Sequence, residues 1–362
     1  MKAVMKTLAY LVCLLPLGLF AQEANSGFDL RASIGTGAFY TPQLTAAPRD
    51  GAPVAAGFRL MLYPTWKLSK HWAVSAAVNT ESRPYAYEDF STQGYGVKTD
   101  VLQGYLSYSQ FWNGGSVVVR MGQLSTAFGS FLLRYDDADN ALIDVPMAYG
   151  YYYKPVTILG LAGAQVDVNL GKLDARAQFV NSSPANPRGI FDRDQYGNWA
   201  GGVGYTIRQG LRVGASSYRG PYLDRQYAFF FPGELPPRDL PATAFGVDAQ
   251  WGRGPWNAYG EWQWFQLDYH VIPTLDERTG YGEVRRVLTP RWYIAARIGY
   301  IRYNEFAGHQ AYELVAGFRP NRYQIAKIGY EIQQGSQFQG AQGNTLAVQL
   351  VTSFRAVSIA RD

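Results

Sequence analysis

The stretch LAVQLVTSF, residues 346–354, sets Leu346, Val348, Leu350, Thr352 and Phe354 on one side of an extended chain and Ala347, Gln349, Val351 and Ser353 on the other. Side chains of a strand point alternately to its two faces, so this segment has one mainly apolar face and one of small or polar groups. The same alternation recurs upstream. Phe58, Leu60 and Leu62 oppose Arg59, Met61 and Tyr63; Trp72, Val74, Ala76 and Val78 oppose Ala73, Ser75, Ala77 and Asn79; Leu173, Ala175, Ala177 and Phe179 oppose Asp174, Arg176 and Gln178. No long stretch beyond residue 21 has helical periodicity. Strands are expected near 28–39, 54–66, 71–80, 100–111, 116–124, 157–169, 172–181, 198–208, 211–219, 242–251, 255–267, 280–289, 291–303, 310–319, 322–333 and 344–354. That makes sixteen, or fourteen or eighteen if a hairpin is lost or gained.

The connections alternate in length. Seven are short and carry turn residues: Leu68-Ser69-Lys70, Asn113-Gly114-Gly115, Leu170-Gly171-Lys172, Arg208-Gln209-Gly210, Gly252-Arg253-Gly254, Thr289-Pro290 and Arg319-Pro320-Asn321. The other eight are longer and more polar. An apolar strand face that meets lipid, a polar face that meets a lumen, and short turns at one end only are together the pattern of an all-β, transmembrane, antiparallel up-and-down barrel. Both termini and the turns would lie in the periplasm and the long loops outside the cell. Trp66, Trp72, Phe111, Trp112, Trp251, Trp256, Trp292, Phe318 and Tyr323 bracket the short turns and would form one aromatic girdle, with Tyr40, Tyr269 and Tyr303 as candidates for the other.

The first 21 residues read as a signal peptide: Lys2 and Lys6 precede an apolar run from Leu8 to Phe20, and Ala21 offers a small cleavage residue. That run is too short to span a bilayer as a helix, and no later one approaches the required roughly 18 to 20 apolar residues. The barrel is therefore expected over 22–354, with 355–362 a short C-terminal tail unless the last strand continues through Val357 and Ile359. Cys13, the single cysteine, lies in the signal, so disulfides and cysteine metal sites are excluded. With 27 Tyr, 9 Trp and 39 Gly, only 17% of residues are charged, against roughly 25% in an average globular protein. Acidic and basic residues are interspersed, and no basic tract points to nucleic acid. His71, His270 and His309 stand in no catalytic motif, are read as solvated polar residues, and there is no phosphate loop, zinc spacing or nucleophile elbow. No enzyme, cofactor or metal is expected.

The longest connection runs from Ser125 to about Val156, between the fifth and sixth strands, and is by order the third extracellular loop. It follows VVVRMGQLSTAFG, residues 117–129, in which Arg120, Gly122, Gln123 and Phe128-Gly129 resemble the strand-to-loop passage of the phosphate-selective porin O and P family and its relatives. That resemblance implies a 16-stranded pore whose third loop folds inward and narrows the channel, and a trimer. It does not carry phosphate with it. The family binds the anion with an arginine ladder and a lysine cluster, whereas this loop sets Asp136, Asp137, Asp139 and Asp144 against Arg134 and Lys154. An acidic constriction repels phosphate.

Alternation assigns Arg31, Arg59, Arg120, Arg176, Arg212 and Arg297 to the lumen. Two readings stay open. The arginines form a basic wall facing the loop carboxylates, or they pair with Asp29, Asp167, Asp174, Asp248, Glu261 and Glu313 and stiffen the barrel. Tyr149, Tyr151, Tyr152 and Tyr153, with Tyr85 and Tyr87, offer either stacking surfaces for sugars or packing residues. The expected function is an outer-membrane porin, a water-filled channel through which small polar solutes or ions diffuse. The alternative is a structural or adhesive barrel with a blocked lumen and partner-binding loops. Outer-membrane lipid is the expected surrounding in either case.

Overall fold

The computed structural model describes residues 26–41, 54–83, 85, 96–150, 160–183, 197–223, 232–335 and 343–361. They form sixteen strands. The first eight are β1 (Ser26–Tyr40), β2 (Val54–Lys67), β3 (Trp72–Arg83), β4 (Gly96–Trp112), β5 (Gly115–Leu124), β6 (Leu161–Leu170), β7 (Leu173–Val180) and β8 (Asn198–Arg208). The remainder are β9 (Leu211–Pro221), β10 (Pro241–Arg253), β11 (Trp256–Leu267), β12 (Leu275–Val287), β13 (Trp292–Tyr303), β14 (His309–Asn321), β15 (Gln324–Gly335) and β16 (Gly343–Arg361). Each pairs antiparallel with its neighbours in sequence, and β1 pairs with β16 to close the barrel. Closure leaves no open sheet edge around the circumference, which a bilayer demands because lipid cannot hydrogen-bond a free backbone group.

The alternation of the final strand is realised residue by residue. Leu346, Val348 and Leu350 are 42–46% exposed, while Ala347, Gln349 and Val351 are 1–7% exposed. The first set faces outward to lipid and the second faces the filled lumen. The tight turns at one end depend on backbone freedom at a few positions. Gly171 and Gly254 have φ of 59° and 57°, a left-handed conformation that costs other residues roughly 1 kcal/mol or more.

β16 does not stop at Phe354. Its residues through Arg361 pair with β1, from Leu30↔Val357 to Ser26↔Arg361, after a bulge between Leu30 and Arg31. The expected tail at 355–361 is thus strand. Val357 and Ile359 alternate with smaller residues there, and β1 supplies a partner edge down to Ser26 that the sequence boundary at Phe28 had concealed.

The turn-end girdle includes exposed Trp66, Trp72, Trp112, Trp251, Trp256 and Trp292; Tyr323 instead borders a lumenal cavity, and Phe111 shares the inward parity of Tyr105 and Ser107 on β4. At the other end Tyr40 faces out, but Tyr303 is buried in the lumen beside Met147 and Ile301, and Tyr269 packs against an internal apolar cluster. The outward aromatics toward the loop end are instead Phe179 with Trp199, centroids 4.5 Å apart, Phe245 with Trp264, and Trp262 stacked on Tyr300 at 5.8 Å.

Candidate functional site

The chain leaves β5 at Leu124 and turns into the barrel. Its first residues are tied to the wall at β7 and β9. Gln178 accepts from the Ala127 N–H at 3.0 Å and donates to the Ser125 carbonyl at 2.7 Å, Ser216 accepts from Gly129, and Arg176 donates to the Gly129 carbonyl. Phe128 and Phe131 then have no exposed surface. Phe128 sits in an apolar cluster with Tyr222, Leu240, Phe265 and Leu267 that fills the lumen beside β8–β11.

Beyond Phe131 the loop follows the wall and is held at successive posts. Glu261 on β11 accepts from the Ser130 hydroxyl at 3.0 Å and from Tyr149 at 2.7 Å. Arg134 donates to Glu283 at 2.9 Å and to Tyr281 at 3.0 Å, with its guanidinium 3.8 Å from the centre of the Tyr259 ring. Asp136 accepts from Ser33 and Tyr63 on β1 and β2. Asp137 pairs with Arg59 at 3.2 Å and accepts from Tyr85 at 2.8 Å. Lys327 on β15 donates to three loop carbonyls, those of Asp137 at 2.7 Å, Asn140 at 2.9 Å and Leu142 at 3.0 Å. Glu313 accepts from the N–H groups of Ile143 and Asp144, and Arg297 donates to the Asp144 carbonyl at 2.7 Å. A short helix, α1 (Met147–Gly150), ends the described part against β12 and β13.

Loop residues therefore occupy one side of the lumen. Two sizeable cavities border it among the described residues. One, of about 480 Å³, is bordered by β1–β4 and the loop and is lined among others by Arg31, Ser33, Tyr63, Gln103, Asp136 and Asp139. The second, of about 350 Å³, lies along β4–β7 with Tyr105, Arg120, Gln165, Asp167, Asp174 and Arg176 on its wall. Gln103 and Ser125 border both.

The arginines assigned to the lumen all sit there, but most are occupied. Arg59 contacts Asp137 and Glu81, Arg120 contacts Asp167 at 2.7 Å, Arg212 bridges Asp174 and Asp248, and Arg297 bridges Glu283 and Glu313. An unpaired basic wall facing free carboxylates is replaced by local pairs, because burial in a lumen half filled by the loop makes an unpaired charge expensive. Arg31 forms the most exposed of these pairs, its side chain 67% exposed and its pairing with Asp29 loose, at 3.8 Å. Among the loop carboxylates, Asp144 turns to its own chain, accepting from the Val145 N–H at 2.8 Å, and Asp139 is exposed to the cavity. Burial, then the charge of Asp136, pushes the Asp139 carboxyl above its ordinary value, while Arg31 and Lys327 pull it down. Lys154, with Tyr87 and Tyr151–Tyr153, lies outside the described residues.

Tyr85 and Tyr149 are not stacking platforms. Both are held as donors to carboxylates, and burial with the charge of Glu261 pushes the Tyr149 hydroxyl well above its ordinary value. His309, expected in solvent, is buried with Nε2 3.0 Å from Gln333, whereas His71 does lie beside its turn, stacked on Tyr108. Lys327 and Glu283 were missed by sequence reading. The alternation of β15 places Lys327 on the lumen face with Gly329, Glu331 and Gln333, and that signal was available.

The fold is that of the outer-membrane porins: a closed 16-stranded antiparallel barrel with an apolar exterior, a fold of the outer membrane. Among solved structures it is similar to OprB of Pseudomonas putida, with a TM-score of 0.62, 12% identity, and 91% of this chain and 94% of that chain covered. An anion-selective porin from Comamonas acidovorans gives 0.60 at 12% identity, covering 91% and 100%, and OmpT of Vibrio cholerae in a trimer form gives 0.57 at 12%, covering 91% and 99%. No protein-family model and no curated protein sequence matches the chain.

Proposed function

We propose that this chain is a porin, an outer-membrane channel without enzymatic activity through which small polar solutes or ions diffuse passively. The observation that carries the reading is the inward loop. It is fastened to the wall from Ser130 to Asp144 by charged and polar contacts, yet leaves two cavities with charged and polar groups on their walls along β1–β7. A loop held this way sets a fixed aperture, and the groups beside the aperture, Asp136, Asp139 and Arg31 on one side and Arg120, Asp167 and Arg176 on the other, decide what passes. The loop residues Arg134, Asp137 and Asp144 and the wall residues Arg59, Arg212 and Arg297 act behind them as supports.

In this reading residues 1–21 are a cleaved signal, the short turns and both termini face the periplasm, and the long loops face outward. Assembly as a homotrimer accords with the porin resemblance and with the trimer form of Vibrio cholerae OmpT. Single-channel recording of purified protein in planar bilayers tests the function, with discrete conductance steps as the expected result. Protein that inserts, shifts mobility on heating and yet passes no current would overturn it. That outcome would favour the second reading, a blocked structural barrel, for which the apolar cluster of Phe128, Tyr222, Leu240, Phe265 and Leu267 inside the lumen is the supporting observation.

A further inference from the structure

The charges that remain open in the lumen are few and are arranged along the strands. Most lumenal arginines are neutralised by adjacent carboxylates, which discharges a transverse field. What is left beside the larger cavity is Arg31, exposed and only loosely paired with Asp29 at 3.8 Å, and one exposed carboxylate, Asp139, which makes no ion pair among the described residues. Asp136, three residues before Asp139 in the loop, is fixed to Ser33, and Ser33 is two residues above Arg31 on the same strand face. At a rise of about 3.3 Å per residue, the post that holds Asp136 stands about 7 Å along β1 from the backbone of Arg31, and Arg31 and Asp139 border the same cavity. The wall of the same cavity includes Met61, Ala77 and Leu102, which pack together on β2–β4, with Met61 opposite Ser33.

We propose that this cavity binds small zwitterions of the α-amino-acid type carrying an apolar side chain. The reading rests on the channel function above and deepens it by naming a solute class. The carboxylate of the solute meets Arg31, whose planar fork of donors suits a carboxylate. The ammonium meets Asp139, and the side chain lies on Met61, Ala77 and Leu102. A neutral solute gains neither charged contact. A singly charged one gains one and faces the opposite pole unpaired.

Liposome-swelling rates for L-valine and for erythritol, an uncharged solute of nearly equal mass, test this in the intact protein. The wild type should admit valine faster than erythritol. Arg31→Gln and Asp139→Asn should each lower the valine-to-erythritol ratio about threefold, the scale of one exposed charge pair. Arg31→Lys, which keeps the charge, should retain most of it. Isovalerate and valinamide, each bearing a single charge, should show no such advantage. An equal ratio in wild type and both neutral variants overturns the proposal while leaving a conducting channel intact. Absence of any solute flux would overturn the channel reading and this one with it.

Discussion

Replacing Lys327 with methionine keeps an unbranched side chain, one atom shorter, and removes all three donors that hold the carbonyls of Asp137, Asn140 and Leu142. Hydrogen bonds from a charged donor are each worth roughly 1.5–3 kcal/mol, and a buried acceptor left without a partner is penalised by a similar amount. The lysine is 3% exposed, so its own desolvation already offsets part of that gain. A net loss of about 3–4 kcal/mol in loop docking follows. The strand pairings of the barrel are untouched, so the loss falls on the loop, and its released population rises roughly a hundredfold or more. Two assays read this. Trypsin cleavage after Arg134 in detergent should accelerate, since that arginine is normally held by Glu283 and Tyr281, and single-channel current should become larger and noisier. Heat-modifiable mobility should persist. Equal trypsin resistance and an unchanged conductance would refute the claim that Lys327 fastens the loop.

Arg297→Ala leaves Glu283 and Glu313 buried without their shared cation; a loss of about 3–5 kcal/mol should appear as a lower temperature for the heat-induced mobility shift, and no change would argue against a buried bridge. Deleting residues 355–362 removes the pairing of β16 with the first residues of β1 and the Arg355 contact to Asp29 at 2.8 Å, so the heat-modifiable species should decline; normal yields would show that this end of the strand is dispensable. Because the folded chain raises the Asp139 carboxyl, the folded state takes up this proton more readily than the unfolded one. The ionised group therefore opposes folding at pH above its folded value, and that cost is relieved as pH falls. Reversal potentials should accordingly shift toward anions on acidification at a higher pH than a free aspartate would give, and Asp139→Asn should flatten that part of the profile.

Much of the barrel was readable because its rule is local. A period of two, with lipid on one face and lumen on the other, marks every strand regardless of what lies across the pore. Turn residues such as Gly171 and Gly254 mark the register at one end, and aromatics such as Trp66 and Trp292 mark the interface beside them. The other end was less legible. Tyr303 has the same composition signal as Tyr40, yet strand parity turns it inward. His309 shares the lumenal parity of Glu313 on β14, but it lies just outside the strand expected at 310–319.

The lumen was legible only in part. Sequence parity placed Arg59, Arg120, Arg212 and Arg297 inside, but pairing is decided by neighbours on adjacent strands and by a loop that reaches across the interior. Arg59 meets Asp137, 78 residues away in the chain, and Lys327 meets the carbonyl of Asp137 across 190 residues.

By itself the sequence determined an all-β barrel with one apolar strand face, a strand count to within a hairpin, its turn end and the inward face of most strands, since those follow from alternation and backbone chemistry within each hairpin. Only the tertiary structure decided where β16 ends, which charges are spent on fastening the loop, and that Arg31 and Asp139 stay open to the cavity. The reason is physical: a charge's role depends on its partners and its burial, and both are created when distant strands close around the loop.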